Sequence, residues 1–131
     1  MFKTLKDLLS SATNAVPRIS VADTQKLMKE EGAVLIDVRE LNEVANTGKA
    51  AGALHISRGM LEFKADPESQ MFEKSLSKDK PVILYCASGG RSSLAGKRLK
   101  DMDYEKVYNL GSIKDWVEAG GEVEHPLDSG M

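Results

Sequence analysis

Two short, unbroken apolar runs constrain this chain more than any other feature. They are AVLIDV (Ala33 to Val38) and PVILYC (Pro81 to Cys86), both rich in β-branched residues and interrupted only by Asp37. A half-exposed strand alternates apolar and polar side chains, whereas a continuous apolar run is the pattern of a strand covered on both faces. Covering both faces takes helices on both sides, so the chain is expected to be α/β, with a central, mostly parallel sheet flanked by helices.

The rest of the sequence fits that expectation. RIS after Pro17, ALHI (Ala53 to Ile56) and VYNL (Val107 to Leu110) read as shorter strands. Ser20 and Asp23 form a capping-box-like start to a helix that runs to Lys29 or Glu31 and is stopped by Gly32. Residues 57 to 77 read as one or two helical segments interrupted at Asp66-Pro67, because the residue before proline is pushed out of the α region. Helices are also predicted from Ser92 to about Met102 and from Ile113 to Ala119, the latter ended by Gly120-Gly121. Phe2, Leu5, Leu8 and Leu9 stand at helical spacing, which predicts an amphipathic N-terminal extension over residues 1 to 15. Residues 16 to 131 are then one domain that ends in the short tail HPLDSGM.

Composition removes several classes of function. The 18 basic and 20 acidic side chains leave a net charge of −2, which gives no footprint for nucleic acid and no polybasic segment for an anionic membrane. No apolar run approaches the ~18 residues that span a bilayer, and the N-terminus lacks a signal-peptide core. A cytoplasmic protein is expected. The single cysteine, Cys86, forms no internal disulfide, and without a second thiol or nearby histidines the sequence predicts no metal and no cofactor.

Chemistry concentrates in YCASGGRSS. A strand ends at Cys86, the small residues Ala87, Ser88, Gly89 and Gly90 follow, then Arg91, Ser92 and a helix. Backbone N–H groups of such a loop converge beside the positive end of the helix and make a cradle for an anion. The same field favours a thiolate, so Cys86 is the candidate nucleophile and Ala87 to Ser92 the candidate binding loop. The bland alternative, a small buried hydrophobe, suits many free cysteines. Arg91 offers a planar fork for oxyanions. Arg58 is expected at the same sheet edge, either binding a donor oxyanion or standing as a solvated surface arginine. Ser88 and Ser92 can donate hydroxyls or cap the helix, with Ser92 read as the cap.

Asp37 and Arg39 read as a structural pair, since an unpartnered buried charge is costly. His55 is expected to pack, and His125 falls in the tail. Met28, Met60, Met71 and Met102 read as core filler, and Trp116 as the residue that packs the last helix on the sheet.

YCASGGRSSLAGKRL resembles the active-site loop and following helix of the rhodanese family, and the likeness extends through LIDVRE (Leu35 to Glu40), GALHISRG (Gly52 to Gly59) and VYNLGSIKDW (Val107 to Trp116). It covers about residues 17 to 121 and leaves the N-terminal extension outside. The resemblance implies a rhodanese-like three-layer fold and a sulfurtransferase in which Cys86 carries a persulfide. The sulfur then moves from a donor such as thiosulfate to cyanide, a small thiol or a thiol-bearing protein. Two motifs depart from the family: Gly111-Ser112 replaces a frequent Gly-Gly pair, and KAAGA (Lys49 to Ala53) replaces its HIPGA. Phosphatases that share the fold hold one residue more between cysteine and arginine than the four, Ala87 to Gly90, found here. A shorter ring of amides suits a lone sulfur better than a tetrahedral phosphoryl group. The alternatives are a non-catalytic docking or persulfide-sensing module that uses the N-terminal helix, and, third, a phosphatase. The sulfur reading requires a thiol that faces main-chain amides and is not entombed.

Overall fold

The computed structural model describes residues 4–125. Helix α1 (Leu5–Ala15) is capped by Thr4, whose side chain accepts from the Asp7 amide. Helix α2 (Val21–Glu31) starts at Ser20, whose Oγ accepts from the Asp23 amide at 3.0 Å, and stops at Gly32 in the left-handed conformation. These are the start and stop that the sequence announces. There follow β1 (Val34–Asp37), α3 (Leu41–Thr47), β2 (Lys49–Ala50), β3 (Leu54–His55), a 3₁₀ turn (Arg58–Met60), α4 (Leu61–Ala65), β4 (Val82–Cys86), α5 (Gly90–Asp101), β5 (Val107–Ser112), α6 (Ile113–Glu118) and β6 (Val123–Glu124).

The main sheet is parallel, in the order β3-β1-β4-β5, with β1 and β4 central. Alternation along β4 sends Val82, Leu84 and Cys86 to one face and Ile83 and Tyr85 to the other. The first face packs on Leu61 and Ala65 of α4, Ala95 and Leu99 of α5, and Val16 at the end of α1. The second packs on Val21 at the start of α2, on Leu110 and on Trp116 of α6. Cys86 therefore belongs to the α4–α5 side.

Helix α1 forms as expected, with Ala12 fully buried, while Leu5 and Leu8 remain exposed; Phe2 lies outside the described residues. The close fit at its C-terminal end needs Gly96, because a Cβ there would meet the Val16 methyls at 2.9 and 3.0 Å.

Three expectations need correction. RIS makes only a bridge from Arg18 to Asn109, because Ser20 immediately caps α2 and leaves no length for a strand. The helical stretch ends at Asp66-Pro67 as expected, but no second segment follows it up to Ser77. Side chains of Asp66, Ser69, Glu73 and Ser77 each bond a backbone N–H two residues on, and these local bonds hold turns instead. Met60 and Met102 pack on one core and Met28 on the other, but Met71 sits on these turns, 45% exposed. Ahead of the tail, β6 pairs antiparallel with β2 and ends just before His125, a pairing not expected from the sequence. Strands of two residues are too short to show a period. The remaining tail, 126–131, lies outside the described residues.

Candidate active site

Cys86 ends β4, Ala87 and Ser88 form an exposed crest, and Gly89 turns the chain back at φ +100. The positive φ is what calls for glycine at this turn, since a Cβ on Gly89 would meet only the Arg18 guanidinium closely, at 3.3 Å. Helix α5 begins at Gly90, two residues earlier than expected, and its cap is Gly89. Ser92 is thus inside the first turn and is no cap: with the helix started early, its hydroxyl faces inward, 3.5 Å from Cys86 Sγ.

Main-chain N–H groups meet the thiol. The Gly89 amide donates to Sγ at 3.0 Å, and the amides of Ser88 and Ser92 also act on it. Burial pushes the thiol pKa up, but the Ser92 hydroxyl and the three amides outweigh burial and leave it below the ordinary cysteine value. The half of the expectation that concerned access is not met, because Cys86 has no exposed surface at all. It stands in a central strand under α5, so the small-hydrophobe description is right about burial. It does not account for the N–H donors that converge on the sulfur.

Asn109 on β5 organises the loop from beneath. Its Oδ1 accepts from Ser92 Oγ at 2.8 Å and from the Gly111 amide at 3.0 Å, while its Nδ2 donates to the Gly89 carbonyl at 3.1 Å. Ser92 has a single proton to give. With a neutral thiol, Cys86 can donate to Ser92 and Ser92 to Asn109; with a thiolate, the Ser92 proton turns to sulfur and Asn109 keeps the Gly111 amide. The signal for Asn109 was a lone amide in the apolar run VYNL, which sequence reading passed over.

Arg91 is not a free fork. Its Nη1 and Nη2 donate to Glu43 Oε1 and Oε2 at 2.7 and 2.9 Å, a bidentate pair that ties α5 to α3. This pairing raises the Arg91 pKa and holds Glu43 down at about 2. Glu43 and α3 were both missed. Glu43 also accepts from the Glu40 amide, as half of a capping box, and the Glu-x-x-Glu spacing was the available sequence signal.

Asp37 and Arg39 form the structural pair expected of them. Arg39 donates to Asp37 from its amide, Nε and Nη2 at 2.7 to 3.1 Å, then reaches the Thr47 hydroxyl and the Gly48 carbonyl at the end of α3. The Arg39 carbonyl bonds His55 Nε2 at 2.7 Å, and the guanidinium lies over the Tyr85 ring. One end of α3 is thus fixed by Arg39, while its first turn presents Glu43 to Arg91.

Arg58 turns to Glu62 at 3.0 Å and lines a cleft with Leu8, Leu94, Lys97 and Arg98. The structure gathers Ser88, Gly89 and Ser92 around the thiol, ties Arg91 to Glu43 beside it and places the Arg58 guanidinium in that cleft. Among the described residues no three His, Cys, Asp or Glu side chains cluster as metal ligands, and no helix is long and apolar enough to cross a membrane.

The Glu43–Arg91 pair makes acid stability testable. Glu43 is depressed in the folded chain, so its contribution is full above the unfolded carboxylate value near pH 4.5 and fades as pH falls towards 2. Both side chains are partly exposed, so screening reduces the contribution to about 1 kcal/mol. Glu43→Gln should unfold at lower denaturant than wild type at pH 6, and the gap should close by about pH 2. A gap that stays constant with pH would contradict the pairing.

Comparison with known proteins agrees with this geometry. Residues 20–119 match the model of the Rhodanese-like domain, and the chain belongs to that family of sulfurtransferases. It is 29% identical over 110 residues to the thiosulfate sulfurtransferase GlpE of Coxiella burnetii, covering 83% of this chain and 90% of that one. A polysulfide-sulfur transferase homodimer from Wolinella succinogenes superposes with a TM-score of 0.72 at 32% identity, over 91% of this chain and 85% of that one. A Rhodopseudomonas palustris protein of unknown function, described as a "Possible Tyrosine Phosphatase", superposes with a TM-score of 0.83 at 34% identity, over 95% of this chain and 96% of that one.

Proposed function

We propose that this chain transfers sulfane sulfur through a persulfide on Cys86, taking it from a donor such as thiosulfate and passing it to a thiophilic acceptor. The observation that carries the reading is the Gly89 amide on Sγ at 3.0 Å, in a loop with four residues between Cys86 and Arg91. The Cys86 thiolate attacks the outer sulfur of thiosulfate, the sulfur–sulfur bond of the donor breaks, and its electron pair leaves with sulfite. Cys86–S–S⁻ remains, and the N–H groups of the loop and the start of α5 hold its charge. The acceptor attacks the outer sulfur, the persulfide bond breaks, and the pair returns to Sγ. With cyanide the product is thiocyanate. Cys86 is enclosed, so the reaction requires the loop over it to open for the donor.

The short loop argues against phosphoryl transfer, and the description of the Rhodopseudomonas relative makes that worth measuring. Thiocyanate formation from thiosulfate and cyanide, run beside hydrolysis of an aryl phosphate, is the test. Turnover with thiosulfate alone supports the proposal, whereas turnover with the phosphate alone overturns it.

A further inference from the structure

Asn109 is a buried amide, 3% exposed, in strand β5 beneath the cysteine loop. The orientation of its carboxamide is fixed. The Gly111 N–H can only donate and the Gly89 carbonyl can only accept, so Oδ1 faces the first at 3.0 Å and Nδ2 the second at 3.1 Å. The atom turned to Ser92 is therefore an oxygen, and at 2.8 Å the Ser92 hydroxyl gives it its one proton. That same hydroxyl stands 3.5 Å from Cys86 Sγ. We propose that Asn109 is a positioning residue that competes with Cys86 for the Ser92 proton, and so sets both how readily the thiol ionises and how firmly the site keeps a sulfur atom. The second half rests on the sulfurtransferase reading, and the first stands without it.

The proton can be followed through three states. With a neutral thiol, Cys86 donates to Ser92 and Ser92 to Asn109. When the thiol gives its proton to water, the charge is on Sγ, the Ser92 proton turns to sulfur, and Oδ1 keeps only the Gly111 amide. Ionisation therefore costs the Ser92–Asn109 bond. Loading converts thiolate and thiosulfate into persulfide and sulfite, and the charge moves to the outer sulfur among the loop amides. Sγ, now bonded to carbon and sulfur, no longer claims the proton, and Ser92 turns back to Asn109. The bond is thus present in the thiol and in the persulfide and broken in the thiolate alone. Asn109 disfavours the thiolate against both, and one such hydrogen bond shifts each equilibrium about fivefold.

The charged groups around the thiol are paired elsewhere. Arg91 of α5 acts on Sγ but is tied to Glu43 of α3, and Arg39 after β1 is tied to Asp37. Arg18, whose guanidinium lies beside Gly89 and Gly111, faces Asp115 of α6. Helix α4 and the end of α1 meet the cysteine face with apolar side chains, Leu61, Ala65 and Val16. None of these ion pairs bonds the side chain of Ser92 or Asn109, so a change at 109 leaves them in place.

The test starts with the unaltered chain, labelled with ¹⁵N and titrated while the thiolate is followed by its ultraviolet absorbance. The Gly111 amide, left as the sole donor to Oδ1, should shift with the midpoint of the thiol, and Ser92→Ala should remove that shift. A Gly111 resonance that follows the thiol equally in both proteins overturns the competition. Asn109→Leu, similar in size and without an acceptor, should raise the ratio of thiolate to thiol about fivefold at fixed pH, opposite in sign to a loosened amide cradle, and should not raise it in the Ser92→Ala background. A ratio that falls, or that rises equally without Ser92, overturns the proposal. Intact mass at a fixed ratio of thiosulfate to sulfite reads the second half. Above the midpoint of the thiol, Asn109→Leu should lower the ratio of persulfide to unloaded chain about fivefold; below it, where both states keep the bond, the ratio should not change. Loading that is unaltered at every pH overturns the sulfur half. Absence of any persulfide on the unaltered chain would remove the sulfurtransferase reading and leave the ionisation result standing.

Discussion

Cys86→Ser is expected to abolish thiocyanate formation from thiosulfate and cyanide, with a loss on the order of 10³-fold or more, because covalent catalysis has no second route through this site. Serine is close in size and fits the same pocket, so the Gly89 amide at 3.0 Å and the Ser92 hydroxyl at 3.5 Å keep a partner. What disappears is an atom that ionises under those donors. Thermal unfolding should stay near wild type, which separates chemical loss from structural loss. Undiminished turnover in this variant would remove Cys86 from the mechanism.

The largest effect on stability is expected at a residue that touches no substrate. Asp37→Ala leaves the Arg39 guanidinium, 2% exposed, without its carboxylate, and breaking one side of a buried pair costs about 3–5 kcal/mol. Melting should fall by on the order of 10 °C. Lys114→Ala provides the contrast: its pair with Glu118 joins side chains 79% and 62% exposed and should matter little. A melting point for Asp37→Ala equal to that of wild type would contradict the role given to the pair. Because Arg39 also bonds Thr47 and Gly48 at the end of α3, the same variant should loosen Glu43 and through it Arg91.

The sequence made the fold legible where patterns run long enough to repeat. Continuous apolar runs mark β1 and β4, and Ser20 with Gly32 marks both ends of α2. It was silent where a contact joins distant segments. Nothing local tells Glu43 that Arg91 is waiting 48 positions on, or places Asn109 under Gly89 and Ser92. Those partners are set by which strands lie side by side, and a buried Asn or a second Glu in a helix start is locally unremarked. Ser92 shows the same limit in reverse. Its cap role depended on a helix start two residues too late, and the corrected start turns its hydroxyl onto sulfur. Enclosure of Cys86 was invisible for a related reason, since a residue at a strand end is covered or open according to how the next helix folds back.

The central claim is that the main-chain cradle at the start of α5 holds a sulfur atom on Cys86. Intact mass measurement of the native chain after incubation with thiosulfate, then after cyanide, tests it most directly. The account predicts a gain equal to one sulfur atom, located on the peptide that contains Cys86 and lost again on adding cyanide. A chain whose mass does not change while its thiol remains free and open to alkylation after unfolding would contradict it.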